Sequence, residues 1–298
     1  MSDSVAQLLA FFHRYPRWVV LSGAGVSANS GIPTYRDANG RWLRNQPIQH
    51  QEFINHLEKR RRYWGRSIIG WPGVRDARPN PVHLALTRFE ILGRAPLIIT
   101  QNVDRLHQRS GSRNVIDLHG RLDRVLCLDC GAGYPREHIQ HSLLQRNPNH
   151  IHFAASARPD GDADLSDEQV AGVDIVDCET CGGTLMPDVV FFGGSVPRVR
   201  VEQCDDAITN ADGLLVVGSS LQVYSGYRFC KRARQLNKPL VIINEGCTRA
   251  DDLADLKIET DAMEVLIEAI DQLSPMPHST LETTCHAPSS TGSATTCA

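Results

Sequence analysis

Four cysteines carry the sharpest chemical signal in this chain. Cys127-Leu-Asp-Cys130 and Cys178-Glu-Thr-Cys181 are both C-x-x-C pairs, each followed directly by glycine. Two such pairs can offer four thiolates to one tetrahedral Zn²⁺. Four thiolates leave no open coordination position, so the metal would be structural and would not activate water. A redox dithiol is the competing reading, and it gives no reason for two pairs. The remaining cysteines, Cys204, Cys230, Cys247, Cys285 and Cys297, are scattered and suit core or tail positions.

A second signal lies in "VVLSGAGVSANSGIPTYRD", Val19–Asp37, where an apolar strand runs into Gly23-Ala24-Gly25. Glycines at such a turn let backbone amides approach a pyrophosphate. An empty tight turn fits Gly-x-Gly alone equally well. The dinucleotide fingerprint is met in part: Ala28 takes its third small position, but no acidic residue closes the next strand. A further turn through Gly31 and Pro33 follows where a plain hydride carrier's helix would continue, so a dinucleotide would be held in a modified way.

Third, "TQNVDRLH" sets Gln101, Asn102 and Asp104 just after an apolar run, and "IDLHG" sets His119 before a glycine. A neutral imidazole suits general-base work near neutral pH. Among twelve histidines, His119 stands out by its place just ahead of the cysteine segment. Asn102 and Asp104 read equally well as helix caps.

The elements that must position these groups follow from apolar runs bounded by turn residues. "RWVVLSG", "APLIITQN", "DGLLVVGSS" and "KPLVIINEG" read as buried strands, with helical-period segments such as 83–92 and 224–236 between them. That pattern predicts an α/β fold, a Rossmann-like open parallel sheet whose ligand crevice lies beyond the carboxyl ends of the strands. The residues that end each run would gather at that edge. Segments 41–82 and 126–186 interrupt the rhythm and predict a smaller inserted domain, made of a helical module and a zinc-binding part. The sheet domain then comprises 1–40, 83–125 and 187–273. Within the second insertion, "HFAASARPDGDADLSDEQ" reads as partly mobile. Residues 274–298, rich in Ser, Thr and Pro, read as a disordered tail. No internal repeat is evident.

Composition bounds the function. The 298 residues are 41% hydrophobic and carry a net charge of −3, which suits a soluble globular protein and argues against a nucleic-acid-binding surface. The basic run Lys59-Arg60-Arg61-Arg62 reads as a solvated helix face. No stretch approaches the about 20 apolar residues of a membrane span. The N-terminus lacks the pattern of a signal or transit peptide, so a reducing cytoplasm is the expected compartment.

Taken in order, "GAGVSANSGIPTYR", "TQNVDRLH", "LHG", the two C-x-x-C pairs, "PDVVFFG", "VVGSSLQV" and "INEG" resemble the sirtuins, NAD-dependent protein lysine deacylases, over about residues 10–272. "PIQH", "YWGRSIIGWPG", "RPDGD" and "GSSLQVYSGYRF" are similar to the class II subgroup, which includes the human mitochondrial sirtuin numbered four and bacterial relatives. The resemblance implies NAD as co-substrate, one structural zinc and acyl-lysine proteins as substrates. It implies that Gly23, Ala24, Gly25 and Ser27 contact the pyrophosphate, and that the loop with Thr34, Tyr35 and Arg36 closes over the nicotinamide ribose. Gln101, Asn102, Val103 and Asp104 would line the ribose and nicotinamide pocket, with Asn102 taking part in catalysis. Gly218, Ser219 and Ser220 would hold the adenosine side, with Asn244, Glu245 and Gly246 at its ribose and Ala262 near the adenine. Val189, Val190, Phe191 and Phe192 would form a β-like cleft for the peptide.

By the same resemblance, the acyl oxygen attacks the ribose carbon that bears nicotinamide, giving an alkylimidate. His119 then deprotonates a ribose hydroxyl, and water completes release of lysine, nicotinamide and O-acyl-ADP-ribose. Thr34, Tyr35, Asp37 and Gly194 depart from the residues usual in the family. Tyr63 and Arg66 would share one helix face. They match the Tyr-x-x-Arg pair with which one sirtuin subgroup binds succinyl and malonyl groups, and so imply an acyl pocket for larger or acidic groups. Simple packing and surface charge is the competing reading. Mono-ADP-ribosyl transfer and a weakly catalytic NAD-sensing module are the alternatives in function. Nothing in the sequence fixes the oligomeric state, and a monomer is the expectation.

Overall fold

The computed structural model describes residues 2–37, 40–43, 47–150, 155 and 158–273. The tail expected at 274–298 lies outside the described residues, as do 151–154 and 156–157 of the polar segment. The strands are β1 (Trp18–Ser22), β2 (Leu97–Thr100), β3 (Val115–Asp117), β4 (Gly120–Cys127), β5 (Gly133–Pro135), β6 (Leu185–Val189), β7 (Gly213–Val217), β8 (Leu240–Ile243) and β9 (Leu256–Ile258). The helices are α1 (Asp3–Arg14), α2 (Ala24–Ala28), α3 (His50–Asn55), α4 (Leu57–Asp76), α5 (Pro81–Ile91), α6 (Leu106–Arg109), α7 (Arg136–Arg146), α8 (Asp167–Val170), α9 (Arg198–Asn210), α10 (Tyr224–Gln235) and α11 (Ala262–Asp271).

Six strands form a parallel sheet in the order β3-β2-β1-β7-β8-β9. The apolar runs are continuous because both faces of this sheet are covered. Val20, Ile98, Leu215 and Val241 point into one core with α1, α5 and α11, where Phe12, Phe89, Leu266 and Ile270 are fully buried. Val19, Leu21, Leu214, Val216 and Leu240 point to the other, against Ile208 of α9 and Phe229 of α10. Each such buried side chain contributes about 2 kcal/mol. Helix α1 shows the local logic: Ser2 Oγ accepts from Val5 N–H at the start, and Val5, Leu8, Leu9 and Phe12 repeat at helical spacing on the buried face. Strand order reverses between β1 and β7, so their carboxyl ends, Ser22-Gly23 and Val217-Gly218, open the crevice at which such sheets bind ligands.

The second sheet is antiparallel, β5-β4-β6. Its core joins the two interrupting segments, since Trp64 and Ile68 of α4 pack with Val125, Ile139, Leu143, Leu165 and Val170. Two α4 glycines make this possible. A Cβ at Gly70 would lie 2.3 Å from Asp162 O, and one at Gly65 would lie 2.9 Å from Val173 Cγ2. The part of the polar segment from residue 158 onward is therefore held against α4, with Ala163, Leu165 and Val170 buried, where the sequence suggested mobility. No described helix is long and apolar enough to cross a membrane.

Candidate active site and metal centre

A cleft of about 1430 Å³ runs between the parallel sheet and the smaller sheet. Its floor is the contact between the ends of β1 and β7. Gly25 N–H donates to Gly218 O at 2.9 Å, and Gly23 N–H to Val217 O at 3.1 Å. A Cβ at Gly23 would come within 2.6 Å of Ser219 Cβ, and one at Gly25 within 2.9 Å of Gly218 Cα. Gly218 itself has φ +59. The glycines are thus required by the close approach of two protein loops, not only by any ligand, a cause that the Gly-x-Gly spacing does not reveal.

Beside this floor the "TQNVD" segment is held by its own side chains. Asn102 Nδ2 donates to Gly23 O and to Ser27 Oγ, each at 3.0 Å, and Ser27 Oγ donates to Asp104 Oδ2 at 2.7 Å. Asp104 Oδ1 also accepts from the N–H of Leu106, the first residue of α6, at 2.8 Å, although the N-cap position is Arg105. Asp104 thus steadies the start of α6 from the residue before the N-cap, while the Asn102 amide bonds Gly23 O and Ser27 Oγ, so neither residue is the cap itself. Burial raises its carboxyl above the usual range, against the pull of the Leu106 and Ser27 hydrogen bonds. Gln101 Nε2 donates to Ser219 Oγ at 2.8 Å, which ties the segment to the end of β7. Arg105 and Leu221 hold left-handed φ of 66 and 56 at the margins of these loops, a strain of roughly 1–2 kcal/mol each that the surrounding structure sustains.

His119 sits between β3 and β4 and lines the same cleft. Its Nδ1 lies 3.0 Å from Gln101 O, and since a carbonyl can only accept, Nδ1 carries the proton. Nε2 is then the basic atom, and it lies 2.7 Å from Ser225 Oγ. Burial lowers this imidazole to about 4, with Arg200 acting in the same direction and the Gln101 hydrogen bond opposing. The ring is therefore neutral at physiological pH, as a base must be. Gly120 behind it has φ +89, and a Cβ there would meet Asp188 O at 2.1 Å. That glycine lets β6 run directly alongside His119.

Most of the residues expected at the site line this cleft: Gly23 to Gly25, Ser27, Thr34 to Arg36, Gln101 to Asp104, Gly218 to Ser220, Asn244, Glu245, Ala262, Val189 to Phe192, Tyr63 and Arg66. Gly246 does not, and its carbonyl instead accepts from Lys257 Nζ at 2.8 Å. Thr34 Oγ1 donates to Arg36 O at 3.0 Å, and the Arg36 guanidinium stacks 3.9 Å above the Trp42 ring. Tyr35, Trp42 and Phe192 meet edge to face at 5.5–6.0 Å, which packs the loop against the segment Val189 to Phe192. In that segment Val190 N–H donates to His119 O and Phe192 O accepts from His50 N–H, at 2.7 and 2.8 Å. A Cβ at Gly194 would lie 2.9 Å from Phe191 O, so an acidic side chain there needs a different turn.

At the far end of the cleft, Tyr63 packs on Phe53, Trp64 and Phe191, and burial pushes its phenol up to about 12. Arg66 is buried, donates to Leu165 O, and has Asp162 at 3.9 Å and Asp167 at 3.8 Å. Arg66 Nε has no hydrogen-bond partner among the described residues. Ser225, Arg158, Asp160 and Arg228 also line the cleft and were not anticipated. All four lie inside stretches already singled out, Ser225 and Arg228 in "GSSLQVYSGYRF" and Arg158 and Asp160 in "RPDGD", but no role was assigned to them there.

The four cysteines converge. Their Sγ atoms lie within 4.8 Å of one another, with Cys127–Cys181 at 3.6 Å and Cys130–Cys178 at 3.7 Å. These are the edges of a tetrahedron with about 2.3 Å metal–sulfur bonds, and they are far longer than a disulfide. The residues fit Zn²⁺. Gly131 and Gly182, which follow the two pairs, have φ of +75 and +73. Each pair also closes with the glycine N–H donating to the first cysteine's carbonyl, at 3.0 and 2.8 Å. The repeated C-x-x-C-G is thus a repeated turn.

Comparison with known proteins agrees with this geometry. A Sir2 family model matches residues 23–225. The chain is 52% identical over 249 residues to NAD-dependent protein deacetylase 2 of Bradyrhizobium diazoefficiens, covering 84% of this chain and 91% of the relative. It is 50% identical over 259 residues to the NAD-dependent protein deacetylase of Xanthomonas campestris, covering 87% and 88%. Among solved structures it resembles a Sir2 variant with deacetylated p53 peptide and 3′-O-acetyl ADP-ribose, with a TM-score of 0.73, 29% identity, and 90% and 97% of the two chains covered. With the fold, the cleft and the cysteine centre already in place, these likenesses show that the chain belongs to the Sir2 family.

Proposed function

We propose that this protein removes acyl groups from lysine side chains of proteins, with NAD as co-substrate and one structural zinc. The observation that carries the reading is the tautomer of His119, which turns an unprotonated Nε2 toward the cleft beside Asn102 and the glycine floor. When bound, NAD supplies an electrophilic ribose carbon, nicotinamide as leaving group, and a ribose hydroxyl that receives the acyl group. Gly23, Ala24, Gly25 and Gly218 to Ser220 shape the backbone floor against which the pyrophosphate and adenosine lie. Asn102 and Asp104, cross-linked through Ser27, orient the ribose, while Tyr35 and Phe192 exclude water. His119 Nε2 is the base that activates the ribose hydroxyl. Val189 to Phe192 receive the peptide, and Tyr63 and Arg66 line the acyl end. The unpartnered Arg66 Nε supports a polar acyl terminus there. Asp162 and Asp167 already oppose the guanidinium, so an acidic acyl group has to compete with them.

A single assay tests the function. Purified protein, NAD and acetyl-lysine or succinyl-lysine peptides should yield nicotinamide, free lysine and O-acyl-ADP-ribose in equal amounts, and His119→Ala should abolish lysine release. Label from the adenylate appearing on protein in place of O-acyl-ADP-ribose would instead indicate ADP-ribosyl transfer and overturn the reading.

A further inference from the structure

Ser225 is the second residue of α10, and its hydroxyl occupies the one basic atom that His119 offers. Nδ1 is committed as a donor to Gln101 O at 3.0 Å, so Nε2 must accept, and Ser225 Oγ at 2.7 Å donates to it. The two contacts are linked. Gly226, next to Ser225, lacks a Cβ where one would lie 2.6 Å from Gln101 Oε1, so the first turn of α10 packs directly on the residue that holds Nδ1. Gln101 and Ser225 thus fix the two nitrogens of one ring from two different elements. A hydroxyl that donates to Nε2 keeps lone pairs that can accept from a second hydroxyl, and Ser225 lines the cleft.

We propose that Ser225 is a proton relay: it takes the proton of the NAD ribose hydroxyl as it passes its own to His119 Nε2. The ribose O–H bond breaks and a new Ser225 O–H bond forms. The original Ser225 O–H bond breaks and an Nε2–H bond forms, leaving an imidazolium. The electron pair stays on the ribose oxygen, which is then nucleophilic toward the acyl carbon, and no further reactant is needed. The proposal rests on His119 being the base. The charged side chain that acts on His119 is Arg200 of α9, itself 3.9 Å from Asp188 of β6.

The test has one readout without substrate and one with it. In the ligand-free protein, imidazole ¹⁵N NMR of His119 should show the Nδ1–H tautomer. Ser225 donates only to the unprotonated ring, so Ser225→Ala should raise the protonation midpoint and Ser225→Thr should restore it. With NAD and acetyl-lysine peptide, Ser225→Ala should slow lysine release about tenfold or more. Exchange of labelled nicotinamide, which precedes the base step, should stay within about twofold, and Ser225→Thr should recover release. If His119→Ala retains lysine release, the base assignment fails and the relay with it. If His119→Ala abolishes release while Ser225→Ala keeps wild-type release, the relay alone is overturned. It is equally overturned if Ser225→Ala slows exchange and release together without moving the midpoint, because that is the mark of a purely structural residue.

Discussion

His119 and Val190 are joined through their backbones: Val190 N–H donates to His119 O at 2.7 Å. The candidate base and the segment that would receive the acyl-lysine peptide are therefore tied to each other through the main chain. The join depends on Gly120, which pairs with Val189 across β4 and β6 and lets the Asp188 carbonyl lie where any Cβ would be.

Gly120→Ala places a methyl 2.1 Å from Asp188 O at a φ of +89. Both strain and clash must then be relieved by parting β6 from β4. The expected cost is about 3 kcal/mol in urea unfolding, with deacylation falling further than the folded fraction accounts for. Unchanged stability and activity would show that β6 does not set the base.

Much of this arrangement was legible in the sequence. The four strand-end loops do meet, because parallel strands with helical crossovers must bring their carboxyl ends to one edge. The cysteine centre followed from spacing alone. Two things were not legible. The packing of residues 158–170 on α4 depends on Gly65 and Gly70, which lie within "YWGRSIIGWPG" but do not tell which distant segment approaches them. The Ser225–His119 contact joins residues 106 apart in the chain, and local pattern carries no information about such a pair.

Removal of the metal should loosen the smaller sheet while sparing the parallel one. Cys127 and Cys178 share a core with Trp64, so a strong chelator, or Cys130→Ser, should shift tryptophan emission to the red and split unfolding into two transitions. Peptide KM should rise because Tyr63, the neighbour of Trp64, lines the cleft. The zinc assignment would not survive a purified protein with much less than one zinc per chain and an unaltered melting curve.

His107 gives a pH dependence whose sign is fixed. Burial, with His83 adding to it, lowers its imidazole from 6.5 to about 3, so the folded protein stays unprotonated where the unfolded chain takes up a proton. Stability is then lost as pH falls below 6.5, at up to about 1.4 kcal/mol per pH unit from this one group. Asp104, Asp117 and Asp160 are raised by burial and act in the opposite sense, but they are common to wild type and variant. His107→Gln should therefore be less stable at pH 7 and lose less than wild type on going to pH 5. Parallel pH profiles in urea titrations would exclude the effect.

Arg66 separates a structural role from a role in acyl recognition. Its guanidinium donates to Leu165 O and faces Asp162 at 3.9 Å, while Nε is buried without a partner among the described residues. Arg66→Ala leaves Asp162, already raised by burial, with Arg158 at 3.8 Å but without its second cation, and should cost about 2 kcal/mol. That loss alone says nothing about substrate, because it comes from the protein's own ion pair. Adding Asp162→Asn removes the under-compensated buried carboxylate and should recover much of the stability. If Arg66 also reads the acyl terminus, the double variant should still lose about tenfold in succinyl-lysine over acetyl-lysine turnover, the value of one charge-assisted hydrogen bond of about 1.4 kcal/mol. A double variant that regains both stability and the wild-type succinyl-to-acetyl ratio would reduce Arg66 to packing. Arg66→Lys gives an independent check, since it keeps the charge but lacks the planar fork, and should hold stability better than acyl preference.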